Sequence, residues 1–147
     1  MAIIVAVCRS DKKSVRKQVV PKVVLKEHFG VVTDAHADSC THRQVSLLAE
    51  ESIEKMRKMG VKVGPGDFAE NLTTQGIELV KLPVGTRLAV GKQAILEVSQ
   101  IGKVCHIKCA IWQQVGTCIM PEEGIFTRVV KGGPVVAGDE IRVVVEP

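Results

Sequence analysis

The segment Leu79–Gln100, LVKLPVGTRLAVGKQAILEVSQ, decides the fold of this chain. It contains three apolar runs, at Leu79–Leu82, Arg87–Val90 and Ala94–Gln100. Turn sequences at Pro83–Gly85 and Gly91-Lys92 separate them, and glycine and proline mark such turns. Short apolar runs bounded by turns are typical of β-strands. The segment therefore predicts three consecutive strands joined by tight turns.

Other parts of the chain repeat this pattern of short apolar runs. Further strands are predicted at Ala2–Val7, Gln18–Lys26, Arg43–Leu47 and Glu140–Val145. Ala49–Met59 is the predicted helix, because apolar residues recur in it at helical spacing and Gly60 ends the run. Ser46 or a neighbouring residue is the candidate for its N-cap. Many short strands with one helix predict a mainly β fold, a closed or nearly closed barrel with short helical turns.

Composition indicates a globular protein built as one domain, residues 1–147. Of the 147 residues 46% are hydrophobic, and Tyr is absent, so we expect a core of Val, Ile, Leu and Ala. The net charge is +4, and basic residues concentrate toward the N-terminal end, where a solvated face is the simplest interpretation. Because aromatic residues are not interleaved among them, nucleic acid is not an expected partner.

The five cysteines and the absence of a secretory signal favour a reduced, cytoplasmic protein with free thiols. The apolar run at the N-terminal end lacks a basic region and is too short to cross a bilayer, so we expect no membrane association. Cys8, within that run, is expected to be a buried hydrophobic residue. Cys40, in a polar segment, is expected to be exposed.

The segment Leu96–Met120, LEVSQIGKVCHIKCAIWQQVGTCIM, carries the other three cysteines. Cys105 stands beside His106 and two residues after Lys103, and nearby positive charge stabilises a thiolate. A thiolate attacks, carries a sulfur atom or ligates a soft metal. Two alternatives stay open. One is a zinc site formed by the three cysteines, Cys105, Cys109 and Cys118, although their spacing departs from paired Cys-x-x-Cys hooks. The other is simple burial of the three.

A polar cluster precedes the predicted helix. It consists of Asp34, His36, His42, Arg43 and Gln44, which fall within eleven residues. Two imidazoles and a carboxylate suit a metal or an oxyanion, and a guanidinium suits a phosphate. The alternative is a loop, within Gly30–Cys40 and beyond, whose polar groups satisfy their own backbone.

Two further segments combine polar and apolar residues. Phe68–Thr74, with Glu70 and Asn71, is predicted to be a loop that either binds a ligand or forms its own turns. Arg128 lies in the apolar run Gly124–Val130 and serves either as a structural ion pair or as an anion hook. The sequence Gly132-Gly133-Pro134 that follows is predicted to be a turn, because it lacks the features of a phosphate-binding loop.

Taken together, these segments resemble the MOSC family, named for the C-terminal domain of molybdenum cofactor sulfurases. The resemblance covers nearly the whole chain. It is carried by Gly30–His36, His42–Leu48, Phe68–Thr73, Gln100–Cys105 and Gly124–Val130, whose order and spacing make the combination specific. The segment that contains Cys105, Cys109 and Cys118 looks like the small stand-alone type found alongside bacterial cofactor-assembly proteins.

The resemblance implies a β-barrel related to that of pyruvate kinase, with Cys105 as the key cysteine. In MOSC domains this residue carries sulfur as a persulfide or coordinates molybdenum in a bound pterin cofactor. His106 and Lys103 would then tune the pKa of the Cys105 thiol. The residues expected to line the cofactor pocket are Asp34, His36, His42, Arg43, Glu70, Asn71 and Arg128. Of these, Arg43 and Arg128, together with the N-terminal lysines, would hold the pterin phosphate.

The resemblance also implies partners. A cysteine desulfurase or another sulfur donor would load Cys105, and molybdenum cofactor biosynthesis proteins or molybdoenzymes would receive the product. A pyridoxal phosphate site is not expected on a chain this small, so any desulfurase would be a separate protein. Whether the chain forms a homodimer stays open.

Two departures from the family pattern affect the first motif, where Thr33 and Asp38 stand at positions that are usually glycine. Glycine adopts backbone conformations that these residues adopt less readily, so a differently shaped loop is expected. Two alternative functions complete the predictions. One is a small molybdenum-dependent reductase of N-oxygenated compounds, and the other is a zinc-stabilised binding domain. The leading prediction is a carrier or cofactor-binding module.

Overall fold

A computed structural model gives the fold. It describes residues 1–12, 15–35, 37–102 and 123–144. Several residues singled out from the sequence lie outside these ranges, namely Lys103, Cys105, His106, Cys109, Cys118 and His36. The predictions made for those residues stay predictions.

The described residues form a mainly β structure, as the sequence predicts, with one α-helix and one 3₁₀ turn. The strands are β1 Ile3–Arg9, β2 Gln18–Val20, β3 Val23–Lys26, β4 Gly30–Val31, β5 Val45–Ala49, β6 Leu72–Gln75, β7 Arg87–Val90, β8 Ala94–Ile101, β9 Ile125–Lys131, β10 Gly133–Val135 and β11 Ile141–Val143. The helix α1 spans Glu50–Lys58, and the 3₁₀ turn spans Leu79–Lys81.

Eight strands form one curled sheet in the order β11-β7-β8-β9-β5-β6-β1-β2. The strand β1 also meets the chain that leads into β11. The amide of Ile4 donates to the Asp139 carbonyl at 2.7 Å, and the amide of Gly138 donates to the Ile4 carbonyl at 2.7 Å. The amide of Ile141 donates to the Ala2 carbonyl at 3.1 Å. These bonds join the β11 end of the strand order to β1, which is next to the other end, so the sheet curls round toward a closed barrel.

A second sheet, in the order β10-β3-β4, covers part of this barrel. Its apolar side chains, among them Val23, Leu25 and Val135, belong to the same hydrophobic core as the inner face of the large sheet. The inner face contributes mainly Val, Ile and Leu, for example Leu47 and Leu96, which are fully buried. The core is therefore aliphatic, as the composition predicts.

The helix α1 packs on the outer face of the sheet and forms a second, smaller core there. Ile53 and Met56 of the helix contact a cluster that includes Leu48, Phe68 and Phe126. Acidic residues occupy the first turn and basic residues the last, which suits the helix dipole. Arg57, near the C-terminal end, contacts the carboxylates of Glu50 and Glu54. The helix thus supports the outer face at β5 and β9.

The structure corrects two predicted strands. The predicted strand Leu79–Leu82 is not formed. Leu79–Lys81 is the 3₁₀ turn instead, and only Leu79 of this turn reaches the core. Gln18–Lys26 is two strands rather than one. Pro21 lacks an amide hydrogen and lies where the chain leaves the large sheet at Val20 to join the small sheet at Val23.

Three further local predictions are also wrong. The predicted turn Gly132-Gly133-Pro134 runs into β10, which pairs with β3. Ser46 lies inside β5 and does not cap α1, whose N-cap is Ala49 without a side-chain hydrogen bond. The predicted loop Phe68–Thr74 ends earlier, because β6 begins at Leu72. Among the described residues, none of the helical segments has the length and apolar character needed to cross a bilayer.

Candidate functional site

A row of side chains crosses the outer face of the large sheet. Gln100 of β8 is aligned with Phe126 of β9, and Phe126 is aligned with Ser46 of β5. Aligned residues of neighbouring strands point to the same face, so these three side chains lie side by side. Asn71, which directly precedes β6, extends the row through its hydrogen bonds to Ser46. We call these four residues the outer row.

Asn71 fastens three segments together at one end of the outer row. Its Oδ1 accepts hydrogen bonds from the amide of Ser46 at 3.1 Å and the hydroxyl of Ser46 at 3.2 Å. Its Nδ2 donates to the carbonyl of Cys8 at 3.1 Å. A carboxamide supplies both a donor and an acceptor, and Asn71 uses both while fully buried. Its role here is structural, and it fixes β1 against β5.

Glu70 lies next to Asn71 and is also fully buried. Its Oε2 accepts a hydrogen bond from the Thr73 hydroxyl at 2.8 Å, whereas Oε1 meets no hydrogen-bond partner in the described part of the chain. Burial raises the pKa of Glu70 to about 7, although neighbouring backbone amides and Thr73 oppose the shift. Ala69, just before it, has a φ of 64°. This left-handed conformation is uncommon for a residue with a Cβ.

A buried ion pair lies beside Glu70. The ammonium of Lys17 donates to Oδ1 of Asp34 at 2.8 Å, and both side chains are inaccessible to solvent. The same Oδ1 accepts the amide of Ser10 at 2.9 Å. Burial lowers the pKa of Lys17, against the opposing effect of Asp34. Lys17 belongs to the basic N-terminal region for which the sequence predicts a solvated face, and for this residue that prediction is wrong.

Cys8 is the thiol of this buried group. It is fully inaccessible, as predicted, and burial followed by the charge of Glu70 raises its pKa to about 12. The thiol therefore stays protonated at neutral pH and does not act as a nucleophile. Cys40 is exposed, also as predicted. Cys8 therefore does not compete with the role predicted for Cys105.

Arg43 lies over the other part of the outer row. Its Nε donates to Oε1 of Gln100 at 2.9 Å, and its guanidinium lies 5.5 Å from the centre of the Phe126 ring. The side chain is exposed, so its remaining donors face solvent. His42 is also exposed, and its carbonyl accepts the hydroxyl of Ser99 at 2.6 Å. Arg43 is thus an oriented cation at the surface of the row.

The remaining sequence-predicted residues lie farther along these elements. Gln44 is buried, and its Oε1 accepts the amide of Val129 at 3.0 Å. Arg128 is exposed and lies 3.3 Å from the Glu97 carboxylate, in the ion pair that the sequence offered as one alternative. A second arginine, Arg87, lies 3.5 Å from the same carboxylate. Arg128 therefore has a partner outside the outer row.

The first motif keeps a glycine-type backbone although glycine is replaced. Thr33 has a φ of 71°, a left-handed conformation that costs a residue with a Cβ about 1 kcal/mol. Asp38 accepts the amide of Cys40 through its Oδ1 at 2.7 Å. Thr33 and Asp38 thus shape a defined turn that holds Asp34 against Lys17.

Sequence reasoning missed the structural use of Lys17 and Ser46. Lys17 stands in a run of basic residues, and nothing in its spacing sets it apart. Its partner, Asp34, is 17 residues away in the sequence, so no local pattern connects the two. No group of three or more His, Cys, Asp or Glu side chains suited to a metal is found among the described residues; the cysteines of the zinc alternative lie outside them.

Comparison with known proteins identifies the family of this chain. The family model described as the MOSC domain matches residues 24–142. The chain belongs to the MOSC domain family. A search of curated proteins finds no match to this MOSC domain. The resemblance inferred from the sequence motifs is therefore confirmed at the level of the family.

Solved structures show the same fold. The YuaD protein of Bacillus subtilis superposes with a TM-score of 0.81 at 21% identity, over 97% of this MOSC domain and 96% of that chain. YiiM from Geobacillus stearothermophilus gives 0.71 at 19% identity, over 99% and 76%. YiiM from Escherichia coli gives 0.70 at 20% identity, over 100% and 71%. At these identities the likeness concerns the fold alone.

Proposed function

We propose that this MOSC domain carries sulfur as a persulfide on Cys105 and serves molybdenum cofactor metabolism. One observation supports the proposal most directly. The outer row, with its oriented cation Arg43, ends at Gln100, five residues before Cys105. We propose that the row supplies the charge and the polar contacts that a reacting Cys105 needs.

The chain path restricts the distance between Cys105 and the row. The amide of Gly102 donates to the carbonyl of Gly124 at 2.7 Å, which fixes the end of β8 against the start of β9. Cys105 follows Gly102 by three residues, and a chain spans at most about 3.6 Å per residue. Gly102 is the last described residue before Cys105, and it follows the Gln100 end of the row by two residues.

The charge near this end favours a thiolate. Arg43 keeps its charge at every relevant pH and has donors that face solvent. Lys103 and His106 flank Cys105 in the sequence and add positive charge. A thiol near such charges has a lowered pKa and a larger thiolate fraction. Cys8, whose pKa burial raises to about 12, illustrates the opposite environment in the same chain.

The sulfur transfer balances without an added oxidant. The Cys105 thiolate attacks the terminal sulfur of a donor cysteine persulfide, and a new S–S bond forms at Cys105. The S–S bond of the donor breaks, and the donor cysteine leaves as a thiolate. The donor would be a cysteine desulfurase in the cytoplasm. The acceptor would be a molybdenum cofactor biosynthesis protein or a molybdoenzyme.

The described residues also fit the cofactor that the family name implies. Arg43 has guanidinium donors that meet no partner among the described residues and suit a phosphate. Within the same part of the chain, Oε1 of the buried Glu70 has no partner and suits a ring N–H. Arg43, Glu70 and Cys105 would hold the cofactor, which would supply a soft, sulfur-rich metal centre. His36 and His42 are further proposed contacts from the family motifs, whereas Asn71, Asp34 and Arg128 are proposed to hold the surrounding segments in place through the bonds described above.

The test is intact-protein mass spectrometry after incubation with a cysteine desulfurase and cysteine. Wild-type protein should gain one sulfur atom, which a reductant removes. The Cys105→Ala variant should gain none. The matched control is Cys40→Ala, which removes an exposed thiol elsewhere and should leave the gain unchanged.

Two results would contradict the sulfur-carrier role. One is no gain in the wild-type protein, and the other is an equal gain in the Cys105→Ala variant. The Arg43→Gln variant adds a mechanistic readout, because removal of the cation should raise the pKa of the Cys105 thiol and slow the uptake of sulfur at neutral pH.

A further inference from the structure

The outer face of four neighbouring strands, β11, β7, β8 and β9, carries an ordered set of charged side chains. Leu88, Leu96 and Val129 of these strands point into the core, so the residues that alternate with them face outward. The strand pairing aligns the outward residues in two rows. The first row consists of Arg87, Glu97 and Arg128, and the second consists of Arg142, Ala89, Ile95 and Lys131. We call these two rows the basic face.

The first row consists of one carboxylate between two guanidiniums. Nε of Arg128 lies 3.3 Å from Oε1 of Glu97, and Nε of Arg87 lies 3.5 Å from Oε2 of the same carboxylate. Both arginine side chains remain exposed, at 46% and 44%. Their terminal nitrogens meet no acceptor among the described residues. Glu97 therefore orients two guanidiniums whose strands lie about 10 Å apart across β8, and both keep donors for a further acceptor.

The second row places apolar side chains between two cations. Ala89 and Ile95 are half-buried at the centre of the row, and Arg142 and Lys131 at its ends are exposed. Arg142 lies 3.2 Å from the carboxylate of Glu140, but both side chains are well exposed, so water screens this pair. The basic face thus combines an apolar centre with a rim of cations.

This combination is typical of a surface that binds a protein. The four strands contribute four cations and one carboxylate. Protein interfaces have an apolar centre and a polar rim, and arginine is enriched in them. Surfaces for single-stranded nucleic acid instead place aromatic rings among the cations, and the two rows contain none. The carboxylate of Glu97, at the middle of the first row, would also repel a phosphate.

We propose that the basic face binds a partner protein whose docking surface carries carboxylates around an apolar side chain. The apolar side chain packs on Ala89 and Ile95. The carboxylates pair with the guanidiniums of Arg87 and Arg128 and with the ammonium of Lys131. This binding goes beyond the sulfur chemistry proposed for Cys105, and it holds or fails independently of that chemistry.

The experiment is a fluorescence anisotropy titration of the full chain at low ionic strength. The probe is a short labelled peptide of glutamate and leucine. Two matched peptides serve for comparison, one with glutamine in place of every glutamate and one with serine in place of every leucine. The wild-type protein should bind the glutamate and leucine peptide saturably. It should bind each matched peptide at least about tenfold more weakly, because one lacks the charge and the other lacks the apolar contact.

Variants locate the binding on the basic face. Arg87→Gln/Arg128→Gln should weaken binding about tenfold, since two exposed ion pairs with the peptide are lost. This variant also leaves Glu97 without its two cations. Lys131→Gln therefore provides a second readout, because it breaks no ion pair among the described residues. It should weaken binding about threefold.

The matched control is Lys58→Gln/Lys62→Gln, which removes two exposed lysines at the end of α1 and just after it. The net charge changes by the same amount as in the arginine double variant, but on another surface, so this control should bind the peptide as the wild-type protein does. No binding of the glutamate and leucine peptide would overturn the proposal. Equal affinities of wild type, Lys131→Gln and the arginine double variant, or an equal loss in the lysine control, would overturn it as well.

Two further measurements test other occupants of the basic face. If a short single-stranded oligonucleotide binds more tightly than the peptide and the arginine double variant weakens it, the face belongs to nucleic acid. If sedimentation equilibrium shows a dimer that the same variant abolishes, the face belongs to a second copy of this chain. Either result would replace the partner protein that we propose. A monomer that binds the peptide more tightly than the oligonucleotide would support it.

Discussion

A carboxylate that folding removes from water, as at Glu70, is stable mainly in its protonated form. Burial raises its pKa from 4.5 to about 7, and the Thr73 hydroxyl and nearby amides only reduce the shift. Since a protonated carboxyl both donates and accepts hydrogen bonds, Glu70 changes its bonding capacity close to physiological pH. The buried carboxylate of Asp34 is stabilised in a different way, because it is ionised and paired with the ammonium of Lys17.

Glu70→Gln should make stability less dependent on pH. Because the native carboxyl binds its proton more tightly than the unfolded one, the wild-type protein is stabilised below pH 4.5 and loses this contribution as the pH rises through 7. The neutral amide of the variant avoids this loss. Between pH 4.5 and 8 the wild type should lose on the order of 3 kcal/mol relative to the variant.

Urea denaturation of both proteins across this pH range measures the difference. Glu78→Gln is the matched control, since the Glu78 side chain is 71% exposed. It should change the free energy of unfolding by less than about 0.5 kcal/mol at every pH. A constant difference between wild type and Glu70→Gln from pH 4.5 to 8 would contradict the raised pKa.

The helix α1 is the element that keeps the outer row in place. It buries Ile53 and Met56 against Leu48, Phe68 and Phe126, and Phe126 in turn carries the guanidinium of Arg43. The row therefore depends on packing that lies outside the barrel core. A loss of packing at the helix would move Phe126 before it disturbed the aliphatic interior.

Ile53→Ala should destabilise the protein by about 2–4 kcal/mol, because the side chain is fully buried and its removal leaves a cavity. Met59→Ala, just past the helix at a position 74% exposed, should cost less than about 0.5 kcal/mol. Chemical denaturation of the two variants provides the measurement. Equal losses of stability in both would show that α1 does not form the second core.

The elements differ in how far the sequence predicts them. Arg87–Val90 was predicted with its observed bounds, and Ala49–Met59 encloses the observed helix Glu50–Lys58. In both cases the signals that predict the element, its residue periodicity and its flanking turns, lie within the same short stretch of sequence. Leu79–Leu82 has the same apolar character as a strand, but among the described strands none pairs with it. Strand pairing depends on distant residues, which a local pattern does not report.

The same limit applies to the candidate site. The motifs identified Glu70, Asn71 and Arg43 as polar residues of interest, and the structure gives each of them defined contacts. The burial of Lys17 could not be predicted, because its partner Asp34 is 17 residues away. The alignment of Gln100 with Phe126 and Ser46 depends on the pairing of three strands, so it could not be predicted from the sequence either.

At the scale of the whole molecule, the contact between β1 and the chain before β11 determines whether the sheet is open or closed. Three backbone hydrogen bonds form this seam, donated by the amides of Ile4, Gly138 and Ile141. A closed sheet leaves fewer unpaired edges, which lowers the tendency of strands to pair with other molecules. The seam thus bears on solubility as well as on stability.

Hydrogen exchange tests the seam. If it is closed in solution, the amides of Ile4 and Ile141 should exchange nearly as slowly as those of the central strands β5 and β9, because they open only with the core. Exchange of both amides at least about a hundredfold faster than in β5 would show a frayed, open sheet. Gly138 lies in a turn, with a φ of 95°, and its amide also donates across the seam. The exchange rate of this amide therefore reports on that turn.

The strand order has a consequence for the rate of folding. Within the large sheet, β1 pairs with β6 and β5 pairs with β9, so long stretches of chain separate these partners. Hairpins such as β7–β8 form from neighbouring residues, but the sheet is complete only when distant segments meet. Such topologies fold on the order of milliseconds to seconds rather than microseconds. During that interval the strands that await partners are exposed, and a chaperone would have time to bind them.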